Sequence, residues 1–169
     1  EPKSDYLYIV TKRDPRSRVY RARLLDDPKG LATLEFLFAL PMTSVTAGDI
    51  SPDGSEILIK NYVYTYYWSR STNESVKDAL RKPPTTVQYM PEPQGEAVCW
   101  SATADGYYTL SERAYKDFRP EVLYYARGKG GMDASVTTTS DRPPLIVGPS
   151  QDTKGIYDVR YTLPKIMSL

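Results

Sequence analysis

At 169 residues, 40% hydrophobic and 25% charged, the chain is long enough to bury a core and too apolar to stay disordered. Its 22 basic and 21 acidic side chains nearly cancel, so no overall field recruits nucleic acid or anionic lipid. With no histidine and one cysteine, it excludes Ser-His-Asp and Cys-His catalysis within the chain, an internal disulfide and an ordinary zinc site.

The first 30 residues are locally basic, with Lys12, Arg13, Arg16, Arg18, Arg21 and Arg23. Asp5, Asp14, Asp26 and Asp27 sit among them, so the stretch reads as a solvated strand face rather than a nucleic-acid patch. Short runs rich in β-branched and aromatic residues, punctuated by Pro and Gly, predict strands over most of the chain. They fall at 6–13, 19–24, 32–40, 45–50, 56–62, 63–69, 85–90, 96–101, 107–112, 121–127 and 156–162. Fifteen tyrosines against three phenylalanines suit half-buried sheet surfaces, where the ring packs and the hydroxyl stays wet. Helix is predicted only at 73–82, "NESVKDALRK", and more weakly at 110–118, "LSERAYKDF", where Pro120 stops it.

Single features add little. Cys99 lies in an apolar run and reads as a buried core thiol, the alternative being a bond to another chain. Asn73-Glu74-Ser75 is a glycosylation sequon in a polar stretch. No apolar run reaches the ~18 residues of a membrane helix. Secretion is expected, with any signal peptide upstream and removed. The Gly-rich 126–135, "ARGKGGMDAS", lacks the Gly-Lys-Ser/Thr order of a phosphate loop and reads as a surface loop.

The predicted strands repeat. Aligned on their turns, Asp53-Gly54 matches Asp105-Gly106 at a spacing of 52. A strand precedes each turn; a second strand and an aromatic third strand follow, "YTYYW" in one copy and "VLYYA" in the other. A truncated copy precedes both, built from "DYLYIVTKR", "SRVYRARLL" and "ATLEFLFALP". Four antiparallel strands recurring every ~40–50 residues are the pattern of β-propeller blades, each burying its faces only against its neighbours.

"DISPDGSEILIKNY" and "PEPQGEAVCWSATADGYYTLSE" resemble blades of secreted β-propellers built on S-P-D-G turns, the Tol-associated and esterase-like phytase types, and most nearly bacterial secreted propellers without assigned function. The likeness covers residues 6 to about 127, and the second turn departs from it with "SATADG". The expected fold is all-β: a partial blade at 6–45, blades at 46–94 and 95–147, and a closing strand or tail at 148–169. Because closed propellers need about four to eight blades, the chain is expected to be a C-terminal portion of a six- or seven-bladed ring. A second polypeptide or a second copy of this chain would complete it.

In that frame Lys12, Lys60 and Glu112 end corresponding strands and would face one channel rim as ligand-binding charges, while Thr46 and Glu96 correspond nearer the axis. The resemblance implies a carboxylate-lined mouth that holds a divalent cation, with Glu96, Glu112 and Asp49 as ligands and calcium as the ion suited to oxygen donors. A competing reading has Glu112 paired with Lys60 or Lys12 of neighbouring blades, fixing their register without any ligand. Two functions follow: a secreted binding or scaffold propeller, or a secreted, toxin-like hydrolase cleaving phosphoesters or esters with a metal, which needs only carboxylates to activate water. Neither nucleic acid nor a membrane span is expected.

Overall fold

The described residues of this computed structural model, 1–24 and 32–128, form three small antiparallel sheets. β1 (Tyr6–Val10), β2 (Arg18–Arg23) and β3 (Glu35–Ala39) make the first, in the order β1-β2-β3. β4 (Val45–Ile50), β5 (Glu56–Asn61), β6 (Thr65–Ser69) and β7 (Thr85–Val87) make the second, in chain order. β8 (Gly95–Trp100), β9 (Gly106–Ser111) and β10 (Val122–Ala126) make the third, with β9 in the middle. The chain is therefore all-β, and every strand expected among the described residues forms. The expected closing strand at 156–162 lies outside the described residues, as does most of the Gly-rich loop.

The second sheet is buried on both faces. Along β5, Ile57 and Ile59 point to one side, where they meet Val19, Leu37 and Leu40 of the first sheet region and Trp68 and Leu80 of their own. Leu58 points to the other side, into Val98, Trp100, Tyr107 and Tyr125 of the third sheet. This explains why "EILIK" lacks the polar alternation of a half-exposed strand: each of its side chains has a protein neighbour. Aromatic contacts carry the second interface, with Tyr67 edge-on to Trp100, Trp100 edge-on to Tyr107, and Tyr107 stacked on Tyr125 at 5.0 Å between centroids.

Helix is shorter than expected. α1 is one turn, Val76–Ala79, with Ser75 as N-cap accepting from the Asp78 N–H at 3.0 Å. Val76 and Ala79 bury against the core, and Pro83-Pro84 bars continuation. No helix forms at 110–118: Leu110 and Ser111 belong to β9, paired with Ala97 and Gly95 of β8. Cys99 is exposed rather than buried, because on β8 the alternate residues Val98 and Trp100 take the core face.

The repeat spacing needs a correction. By ladder partners Gly95 takes the place of Val45, Trp100 of Ile50, Tyr107 of Ile57 and Ser111 of Asn61, a constant spacing of 50 rather than 52. Both hairpins carry a bulge at the same point, between Val45 and Ala47 and between Gly95 and Ala97. The turns agree at this spacing. Gly54 and Ala104 both have positive φ, 77° and 54°, and their N–H groups donate to the carbonyls of Ser51 and Ser101 at 2.8 and 3.0 Å. The Asp-Gly dipeptides misled because Asp105 sits two residues later in its turn than Asp53, although both carboxylates accept from the preceding serine hydroxyl.

Among the described residues the first sheet has three strands and the second four. The Thr11 N–H donates to Arg18 as the Asn61 N–H donates to Tyr64, so β1 stands where β5 stands and nothing among the described residues stands where β4 and β8 do.

Candidate functional site

The same ladder equivalence decides which residues correspond at the ends of the strands. Lys12 follows Thr11, Tyr62 follows Asn61 and Glu112 follows Ser111, so these three correspond. Lys60 does not: it lies two residues earlier, on the β5 face that carries Leu58, and is fully buried at 0% exposure. In the repeat, therefore, Tyr62 rather than Lys60 corresponds to Lys12 and Glu112.

At this rim the three sheets meet on one carboxylate. Glu96 sits in the β8 bulge, a device that turns a side chain out of the ladder. Its oxygens accept from Lys12 Nζ at 2.7 and 2.9 Å and from the Tyr62 hydroxyl. Lys12 Nζ also stands 5.1 Å from the centre of the Tyr62 ring. Hydrogen bonds from Lys12, then Tyr62, hold the Glu96 carboxyl below its ordinary value, and the same carboxylate raises Lys12. The competing reading of a register-fixing ion pair finds its partners here, with Glu96 in place of Glu112. Glu112 itself is exposed, and its carboxylate makes no ion pair with any described residue. Its backbone N–H donates to Gln94 at 2.7 Å.

Beneath the rim lies a buried polar layer that the sequence reading missed. Lys60 Nζ donates to the Gly95 carbonyl at 2.5 Å, the Asn61 carbonyl at 3.1 Å and Thr46 Oγ1 at 3.4 Å. It also stands 4.4 Å from the centre of the Tyr89 ring. Burial pulls its pKa down to about 8, against the opposing pull of Glu92 and Glu96. Burial raises Glu92, and it pushes the Tyr89 hydroxyl up to about 12. Gly95 leaves the room for this convergence: a Cβ there would lie 2.2 Å from the Tyr89 oxygen, 2.9 Å from Lys60 Nζ and 3.1 Å from Glu92 Oε2. The signal was present in "QGEAV", where a glycine precedes a charged residue at a strand start, but only the tertiary contact identifies its neighbours.

Asp49, expected as a metal ligand, is a clip between sheets. Its Oδ2 accepts the Trp100 N–H at 2.8 Å and its Oδ1 accepts its neighbour Ile50 N–H at 2.9 Å. Glu96, Glu112 and Asp49 do not come together, and among the described residues no three His, Cys, Asp or Glu side chains are grouped as a metal site would require. Asn73 is exposed just before α1. Among the described residues no helix is long and apolar enough to cross a membrane. What the arrangement offers chemically is a rim of one carboxylate, one ammonium and one phenol, backed by a second Lys-Tyr-Glu layer with a lowered amine pKa. No protein-family model, curated protein or solved structure matches the chain.

Proposed function

We propose that the chain is part of a secreted β-propeller acting as a binding or scaffold module, with its ligand contact at the rim formed by Lys12, Tyr62 and Glu96. The observation that carries this reading is the Glu96 carboxylate, held by residues from two other sheets at the side where β4 and β8 run next to each other. Propellers bring successive sheets together at one channel mouth in this way. The sheet faces at the two ends support further blades from a second polypeptide or a second copy. The first sheet turns Leu7, Ile9 and Phe36 outward, the last 55% exposed, and the third turns out Ala97 and Cys99. Exposed apolar groups of this kind mark contact surfaces.

Native mass spectrometry and particle imaging test the ring: a closed assembly is expected, and a lone 19.1 kDa species with no ring overturns it. Thermal shift against inorganic phosphate, sulfate, calcium and acidic and neutral sugars tests the rim. A shift is expected for at least one probe and should be lost in Lys12→Met and Glu96→Gln. Chelator-sensitive turnover of phosphodiester or ester substrates would replace the binding reading with hydrolysis.

A further inference from the structure

The buried ammonium of Lys60 lies between the second and third sheets, where its three protons meet three acceptors. These are the Gly95 carbonyl at 2.5 Å, the Asn61 carbonyl at 3.1 Å and Thr46 Oγ1 at 3.4 Å. Two of them have a place in the chain that matters for the rim. The Asn61 carbonyl belongs to the peptide group that leads into Tyr62, and the Gly95 carbonyl to the one that leads into Glu96. Lys60 therefore joins the two backbone units whose next side chains meet in the hydrogen bond from Tyr62 to Glu96. Thr46 completes the arrangement. It stands in the β4 bulge as Glu96 stands in the β8 bulge, and its hydroxyl donates to the same Gly95 carbonyl at 3.0 Å.

A bulge leaves its residue outside the ladder, so ladder pairing alone does not fix where the Glu96 carboxylate points. The Gly95 peptide needs a second anchor, and the ammonium supplies it through charge-assisted hydrogen bonds, roughly twice as strong as neutral ones. We infer that Lys60 is a positioning residue for the rim: it holds Tyr62 and Glu96 in register from beneath, and the rim loosens when Lys60 gives up its proton. This rests on the proposed reading of Lys12, Tyr62 and Glu96 as the ligand-contact rim, and it adds what regulates that site.

A neutral amine has two protons for the three acceptors and loses the charge that strengthens them. Burial brings this proton loss into the mildly alkaline range, against the opposing pull of Glu92 from the 88–94 segment and Glu96 from β8. Tyr89, whose ring faces the ammonium, and Lys12, on the far side of Glu96, are both raised above their ordinary values and keep their protons there. Thr46 from β4 and Thr65, the ladder partner of Lys60 on β6, do not titrate.

The test follows the folded full chain by nuclear magnetic resonance, with isotope label at lysine Cε, glutamate Cδ and tyrosine Cζ and the signals assigned through the backbone. Between about pH 7 and 9.5 the Lys60, Glu96 and Tyr62 signals are expected to move with one common midpoint. In Lys60→Met the alkaline step should vanish from Glu96 and Tyr62, and the acid titration of Glu96 should move upward, because the ammonium lowers it. A lysine that only filled space would leave both unchanged. Near-ultraviolet circular dichroism verifies that the variant folds; should it not, the wild-type midpoints decide alone. The proposal is overturned if Lys60 titrates without Glu96 and Tyr62 following, if none of the three moves in this range, or if the step persists in folded Lys60→Met. A common midpoint in a chain whose rim shifts with none of the phosphate, sulfate, calcium and sugar probes would retain Lys60 as the positioning residue and refute the ligand reading of the rim alone.

Discussion

Arg127 closes a two-point ion pair on Glu56, with Nη1 2.9 Å from Oε1 and Nη2 2.5 Å from Oε2, tying the end of β10 to the start of β5. Tyr67 donates its hydroxyl to the same carboxylate at 2.7 Å, Arg127 Nε donates to the Ala104 carbonyl at 3.0 Å, and the guanidinium lies 5.6 Å from the centre of the Trp100 ring. The pair thus crosses the interface between second and third sheets where the aromatic stack ends. Forked geometry and partial burial make it stronger than a surface bridge, and solvent reaching Arg127 keeps it weaker than a fully buried one.

Arg127→Met is expected to lower stability by roughly 1–3 kcal/mol, because it leaves the Glu56 carboxylate without its charged partner. Glu56→Gln should cost less, since the amide keeps one acceptor for Tyr67. Urea denaturation of both single variants and the double variant gives the coupling. A double variant whose loss equals the simple sum of the singles would remove the pair from the account of this interface.

The rim makes a pH prediction. Glu96 has a folded pKa below its ordinary value, so its contribution is present above that value and is lost as pH falls through the folded one. Wild type and Glu96→Gln should therefore differ most in melting temperature near pH 7 and converge as the carboxylate is protonated in acid. Tyr62→Phe should show part of the same effect, as it removes one of the hydrogen bonds. A difference between wild type and Glu96→Gln that stays constant into acid would show that the carboxylate's charge is not what the rim uses.

Lys60 has the opposite sign. Its folded pKa of about 8 lies below the ordinary 10.5, so between these values the unfolded chain binds more protons and stability rises with pH. The rise is bounded above about pH 10 by the tyrosines, whose raised folded values oppose ionisation. Lys60→Met should be at least as stable as wild type at pH 7, because the Gly95 carbonyl keeps the Thr46 hydroxyl at 3.0 Å. Any advantage should narrow toward pH 9.5. A gap that does not change over pH 7–9.5 would contradict the burial account.

The two turns offer an opposed pair of substitutions. Ala104 holds a left-handed conformation that favours glycine, and Ala104→Gly is expected to stabilise by roughly 0.5–1 kcal/mol. Gly54→Ala should destabilise by about 1 kcal/mol, as its Cβ would also meet Arg70 Nη2 at 3.1 Å. Chemical denaturation measures both. Loss of stability in Ala104→Gly would mean that the two turns are not equivalent.

The sequence by itself determined the strands and the three-fold recurrence. Their information is local: β-branched and aromatic runs, interrupted by Pro and Gly, favour extended backbone whatever lies across the sheet. It did not determine register. Counting from Asp-Gly put the repeat at 52 and Lys60 opposite Glu112, whereas the ladder spacing of 50 puts Tyr62 there and sends Lys60 inward. A slip that small passes unseen in a residue pattern, yet it changes which groups meet in space. The exposure of Cys99 and the clip role of Asp49 were decided in the same way, by which face of β8 and β4 met the neighbouring sheet. The contacts that make the candidate site, Lys12 with Glu96 and Lys60 with Gly95, join residues 84 and 35 positions apart. No local propensity encodes such pairs. They exist because three sheets stack, and stacking is driven by apolar faces that no single sheet can bury alone.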